Sequence, residues 1–291
     1  VTKMSDSAFD LELEKKEAFR KRNLERIKKL RLLDDDFFRV CFADDIEASE
    51  LILRILMDKK DLKVIESRTQ YSVKNLHGHS IILDVFATDS NGRKYDIEIQ
   101  RSVSGAIPRR ARYNSSLIDA NILISSEEYG SLPETYVIFI TEKDVVGRGK
   151  PIYHVDRIVR ETGEEFGDGS HILYVNAETE DDSELGRLMH DFNCTDPDRM
   201  NYSCLAERAR YFKTDDKGVI QMCDIWEEVK KEGREEGREE GREEGRAEGK
   251  KEASLKAALR MLRDGMPIEK ISEYTGLSDA EVREYADILA G

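Results

Sequence analysis

The residues able to do chemistry lie in SIILDVFATDSNGRKYDIEIQR, positions 80–101. Asp84 interrupts an apolar run at 81–88, and Asp96, Glu98 and Gln100 alternate with Ile97 and Ile99 along 94–101. Both runs read as β-strands, the second with period-two alternation. Asn91-Gly92 between them is a strong hairpin signal. A two-residue loop there would set Asp84 opposite Ile99 and send Asp84 and Glu98 to opposite faces. A three-residue loop, Ser90-Asn91-Gly92, sets Asp84 opposite Glu98 and gives Gly92 a left-handed position that it occupies without steric cost. The second register is the expected one, and it puts two carboxylates side by side with an amide one step along. Adjacent carboxylates near an apolar sheet repel each other. A hard divalent cation resolves the conflict, taking carboxylates, waters and phosphate oxygens together. The plainer alternative makes Asp84 a strand-end residue and Asp96 and Glu98 a solvated face, because acids are seldom buried. Asp84 inside an apolar run argues against it, since strands that are apolar throughout are covered on both sides.

Asp84…Glu98-x-Gln100, on consecutive strands with a helix following, resembles the PD-(D/E)XK nuclease superfamily. More narrowly, the chain is similar to the PD-(D/E)XK family transposases, also called recombination-promoting nucleases. LDDDFFRVCF at 33–42, LDVFATDSNGRKYDIEIQ at 83–100, and a Glu/Gly/Arg-rich tail ending in a small helical unit carry the likeness. The resemblance implies an α/β fold: a restriction-endonuclease-like mixed sheet flanked by helices, with a helical C-terminal extension. It implies a Mg²⁺- or Mn²⁺-dependent DNA endonuclease linked to recombination or transposition. Asp84, Glu98 and the backbone carbonyl of Ile99 would hold the metal, and Gln100 would position a water. Glu50, on the helix ahead of the sheet, is a further candidate ligand, with Glu47 behind it; an exposed helical glutamate is the plainer reading of either. Two departures stand out. Leu83 precedes Asp84 where the superfamily has proline, and Gln100 stands where it usually has lysine, although glutamine is usual in this subfamily. Glutamine can orient a water but supplies no charge. A second reading therefore stays open, a catalytically weakened DNA-binding or assembly protein that retains the fold.

Composition constrains the partner. The 291 residues carry 47 Lys and Arg against 61 Asp and Glu, a net charge of −14. A polyanion ligand needs a basic footprint, so any DNA groove must be a local patch. Arg101, Arg109, Arg110 and Arg112, followed by Tyr113, fall directly after the acidic motif. Arginine forks suit phosphate oxygens, and tyrosine can bond phosphate or stack on a base. The competing role for these arginines is pairing with Asp84, Asp96 or Glu98. The four cysteines show neither C-x-x-C nor zinc spacing and read as reduced thiols. His77 and His79 flank Gly78 and read as solvated loop. With no leader or membrane-length apolar run, a cytoplasmic protein with no membrane contact is expected.

The elements that must position these residues follow from periodicity. Residues 1–32 read as a helical or partly disordered arm, and 33–225 as the nuclease-like core. Asp34-Asp35-Asp36 before Phe37 reads as a helix N-cap, with Asp36 part of the family motif. An amphipathic helix at 46–57 presents Ile52, Ile55 and Leu56. Strands are expected at 62–73, 135–141, 151–162 and 171–176, and helices at 102–126, 185–192 and 200–212. From 226 to 252 a G-R-E-E repeat makes a marginal helical spacer. Its Glu–Arg spacing supports a helix, and its glycines oppose one by about 1 kcal/mol each. Residues 253–291 form a small helical module patterned like a helix–turn–helix. Its recognition-helix position, the third helix of the module, holds Ser278, Asp279, Glu281 and Glu284 and is acidic, which favours protein contact, including a homo-oligomer, over base reading.

Overall fold

The computed structural model describes residues 21, 23–75 and 78–290. The expected arm at 1–32 falls mostly outside them; its described end is helical to Ile27. Two compact units meet in sequence between Ile225 and Trp226.

The first unit is built on a six-stranded mixed sheet: β1 (Val64–Val73), β2 (Ile81–Asp89), β3 (Lys94–Gln100), β4 (Thr135–Thr141), β5 (Ile152–Val155) and β6 (Ser170–Asn176), in the order β1-β2-β3-β4-β6-β5. β3, β4 and β6 are parallel, and β1, β2 and β5 run against their neighbours. The carboxyl ends of β3, β4 and β6 therefore share one rim with the start of β2. In open α/β sheets that rim is where ligands sit.

Helices cover both faces. On one, α1 (Asp35–Phe42) and α2 (Ile46–Leu56) pack on β1–β3, with α4 (Glu184–Asn193) and α5 (Ser203–Thr214) behind them. Phe38 anchors this layer, with ring centroids 4.3 Å from Phe42 and 6.0 Å from Phe192. On the other, α3 (Pro108–Ile122) lays Ala111, Leu117 and Ile118 against Phe86, Val137, Phe139 and Tyr174. Pro108 opens α3 at its first turn, where no amide hydrogen is needed. The expected strand at 151–162 shrinks to four residues, leaving Ile158 and Glu165 in an isolated bridge and Gly163 at a positive φ. Asp34 holds the N-cap position of α1 without capping it, because its carboxylate takes the Arg31 amide and the Arg101 guanidinium. Asp45 does cap α2, accepting from the Ala48 amide at 3.0 Å.

The hairpin adopts the three-residue loop. Asp89 and Arg93 pair across it, Gly92 has φ +83°, and Asp89 Oδ1 accepts from the amides of Asn91 and Arg93. Val85 then pairs with Ile97, and Phe86 with Asp96.

The second unit takes in most of the 48-residue helix α6 (Asp216–Arg263), followed by α7 (Ile268–Thr275) and α8 (Asp279–Ala290). The helix is continuous through the glycine repeat, so its Glu, Arg and Lys residues outweigh the glycines. Ala258, Ile271 and Val282 make the small core of this unit. Gly276 closes α7 in the left-handed conformation, and Ser278 and Glu281 form a capping box ahead of α8. Among the described residues no helix is long and apolar enough to cross a membrane.

Candidate active site

The ladder between β2 and β3 stops at Val85–Ile97. β1 stays paired with β2 as far as Ile81, and β3 with β4 as far as Gln100. The two middle strands thus part at the rim, and the gap strands backbone groups that must find partners. The acids supply them. Asp84 Oδ2 accepts from the Ile99 amide at 3.1 Å, and Glu98 Oε1 accepts from the Asp84 amide at 3.4 Å. A strand residue directs its N–H and C=O to one side, so the Ile99 carbonyl also faces this fork.

Both carboxylates are buried, Asp84 at 3% and Glu98 at 1% exposure. Asp84 Oδ1 accepts from Arg39 Nε on α1 at 3.0 Å, and Glu98 Oε2 from Arg110 Nη2 on α3 at 3.0 Å. Burial, and then the charge on Asp84, push Glu98 up to about 7, against the pull of Arg110. Asp96 is raised too, by burial and then by Glu98. Its Oδ2 accepts from Asn114 Nδ2 at 3.3 Å, whereas its Oδ1, like Asn114 Oδ1, is buried with no hydrogen-bond partner among the described residues. Three crowded acids and an orphaned oxygen make a site short of positive charge. Among the described residues no three His, Cys, Asp or Glu side chains gather as a metal cluster. The donors are two carboxylates and a carbonyl, all oxygen, which suits a hard cation that keeps several waters.

Gln100 stands at the rim, half-buried, against the 3₁₀ turn Val103–Ala106. Gly105 leaves room for its amide: a methyl group there would lie 1.9 Å from Gln100 Oε1. The Gly105 carbonyl in turn accepts from Arg110 Nη1 at 3.2 Å. Gly105→Ala is expected to fold with a stability change under about 1 kcal/mol, because only a flexible side-chain end must move. It should lower the activity of this site about as much as Gln100→Ala, on the order of tenfold. Wild-type activity of Gly105→Ala alongside an impaired Gln100→Ala would show that the position of the amide is immaterial.

The other expected residues separate. Glu50 is drawn elsewhere: it binds Arg54 one turn on at 2.5 Å and accepts the Val64 amide at 2.9 Å. Val64 pairs with Asp89 at the turn end of the hairpin, several residues from Asp84, so Glu50 braces the start of β1 and is corrected as a candidate ligand. Arg101 is engaged by Asp34 and Glu142. Arg110 follows the pairing alternative. Arg109 and Arg112 are exposed on α3. The Tyr113 hydroxyl accepts from Asn75 Nδ2 at 2.9 Å and donates to the His79 carbonyl, which ties α3 to the β1–β2 turn. His77 lies outside the described residues. Sequence reading missed Arg39 and the Asn114–Asp96 contact. It also missed Asp35, whose carboxyl is raised by desolvation and then by the charge on Asp84. The F-F-R spacing on an amphipathic α1 was the available signal for Arg39, one turn after Asp35 on the face toward the sheet.

The sequence matches the family model described as PD-(D/E)XK nuclease family transposase over residues 33–251. Residues 251–287 match the model described as Rpn/YhgA-like nuclease family, C-terminal HTH domain. Comparison with curated proteins returned no match, and comparison with solved structures returned none.

Proposed function

We propose, from the premise that the chain belongs to the PD-(D/E)XK nuclease family transposases, that it hydrolyses phosphodiester bonds in DNA at the fork between β2 and β3, in a reaction serving recombination or transposition. The observation that carries this reading is the pair of buried acids, Asp84 and Glu98, facing each other across that fork, with Glu98 pushed up by burial and by the charge on Asp84. Members of the wider nuclease superfamily generally use divalent metal ions. Asp84, Glu98 and the Ile99 carbonyl would hold Mg²⁺ or Mn²⁺ here. When bound, such an ion lowers the pKa of a coordinated water and stabilises charge on the phosphate.

The chain's own residues do the rest. Gln100, given room by the bare Gly105, would orient the attacking water through its amide oxygen. The half-exposed Arg110 and the exposed Arg109 and Arg112 line the approach from α3 and suit phosphate oxygens. Burial of both acids keeps bulk water from competing for the cation. The C-terminal helix–turn–helix supports a second DNA contact. Its acidic α8 favours the weaker reading of a protein-contact role, by which it would pair copies of the chain.

Supercoiled plasmid separates nuclease from assembly protein. Wild-type chain with Mg²⁺ should convert it to open circle, EDTA should stop conversion, and Asp84→Ala should reduce it at least about a hundredfold. Equal nicking by wild type and Asp84→Ala would leave the second reading, a DNA-binding or assembly protein with the fold and without the chemistry.

A further inference from the structure

We propose that Arg39 and Arg110 are the seat of the scissile phosphate, and that in the DNA-free protein they are parked on the two acids the cation needs. The proposal rests on the cation-dependent reading above and extends it to substrate binding. Arg39 comes from α1 on one face of the sheet and Arg110 from α3 on the other, so the two bracket the fork. Their side chains are 31% and 41% exposed, whereas those of Asp84 and Glu98 are 5% and 1% exposed. Solvent therefore meets guanidinium before it meets carboxylate. Among the described residues Arg39 donates to Asp84 through Nε, and its Nη fork is the part left for another acceptor. Arg110 holds Glu98 and the Gly105 carbonyl.

Each of the two acids already has a guanidinium on it. A divalent cation entering by itself must compete with those guanidiniums for the carboxylates and meets their charge at close range in a largely desolvated place, which disfavours its entry. A phosphodiester brings negative charge and oxygens that suit the arginine fork. Transfer of the guanidiniums from carboxylate to phosphate frees the acids as the cation arrives. Cation and DNA then promote each other's binding, because each relieves the charge that the other leaves unbalanced. The arrangement also supplies, from two helices, the positive charge that Gln100 cannot supply from β3.

The test is Mn²⁺ affinity of the full chain, read from the signal of free Mn²⁺ by electron paramagnetic resonance at pH 8, with and without a short DNA duplex. The duplex should tighten Mn²⁺ binding by wild type about tenfold. Arg39→Gln and Arg110→Gln should each bind Mn²⁺ about tenfold more tightly than wild type without DNA, gain little from the duplex, and nick plasmid at least tenfold more slowly. Arg39→Lys keeps a charge beside Asp84 but has no fork; it should bind Mn²⁺ like wild type without DNA and nick slowly. Circular dichroism melts identify any variant that fails to fold, and Arg39→Lys then carries the test. Unchanged or weaker Mn²⁺ binding by the glutamine variants, or wild-type nicking by Arg39→Lys, overturns the proposal. Wild type that binds no Mn²⁺ under either condition overturns the cation reading beneath it instead.

Discussion

Glu98→Gln should melt at a higher temperature than the wild-type chain in metal-free buffer at pH 8, and should fail to nick DNA. Glu98 titrates at about 7 in the fold against 4.5 for the ordinary group, because it is buried and faces Asp84. Between those values the folded state holds a proton that the unfolded chain has released. Stability therefore falls as pH rises through the window, and above 7 the full cost is present. Asp96, raised beside it, shifts in the same direction. Arg110, Arg39 and Asp35 are the other charged groups turned toward the fork. Glutamine keeps the length of the side chain and the oxygen that accepts the Asp84 amide, and it carries no charge to desolvate. Arg110 loses a partner but reaches solvent. The expected gain is on the order of a few kcal/mol at pH 8 and close to nothing at pH 4.5. Melting curves across pH 4.5–8 would check it, with nicking of supercoiled plasmid measured alongside. A variant less stable than wild type at pH 8, or one with an unaltered pH slope, would mean that the carboxylate is not under strain. A gain in stability on removing a group needed for activity is what a site built to receive a cation should give.

Lys213→Met should cost the first unit about 2–4 kcal/mol, a fall of roughly 5–15 °C in melting temperature. Lys213 lies on α5 and is 2% exposed. Its ammonium donates to the carbonyls of Lys28, Leu30 and Thr195 and sits 5.1 Å from the centre of the Phe37 ring. Burial pushes it down to about 8, which leaves it charged at neutral pH. Three carbonyls just beyond helix ends share this one donor. Methionine fills the same channel and offers them nothing, so each keeps a desolvation cost without a bond. Thermal or urea unfolding measures the loss, and wild-type stability in the variant would show that the carbonyls are satisfied without the lysine. The effect should spare the affinity for Mn²⁺ at temperatures where the variant is folded, since Lys213 contacts none of the residues at the fork.

The hairpin was legible because it is local. Alternation from Asp96 to Gln100 and the need for a left-handed residue at Gly92 fix strand and loop, and with them the register that runs to Val85–Ile97, one step short of Asp84 and Glu98. The family likeness added the sheet around it. What the sequence could not display is the parting of β2 and β3, since that depends on which ladders continue on either side. Nor could it display Arg39, whose approach to Asp84 depends on how α1 crosses the sheet. The choice of Glu50 went astray for a reason within reach of local rules. Arg54 lies four residues on and completes a helical ion pair, and that pair claims the carboxylate. The tail is the opposite case. Local rules set the glycines against the charged helix formers, and the outcome, one helix from Asp216 to Arg263, turned on the sum over the whole run.

Arg31, Asp34, Arg101 and Glu142 close a ring of alternating sign where β3 and β4 leave the sheet. Dissolved electrolyte weakens such surface rings as well as phosphate contacts, over a screening length of about 10 Å at 0.1 M. Raising ionic strength will thus loosen the segment ahead of α1 while it displaces DNA. The logarithmic dependence of binding on salt should then be steeper than the number of neutralised phosphates alone would give, and charge-neutral replacements at Glu142 should bring the two into line.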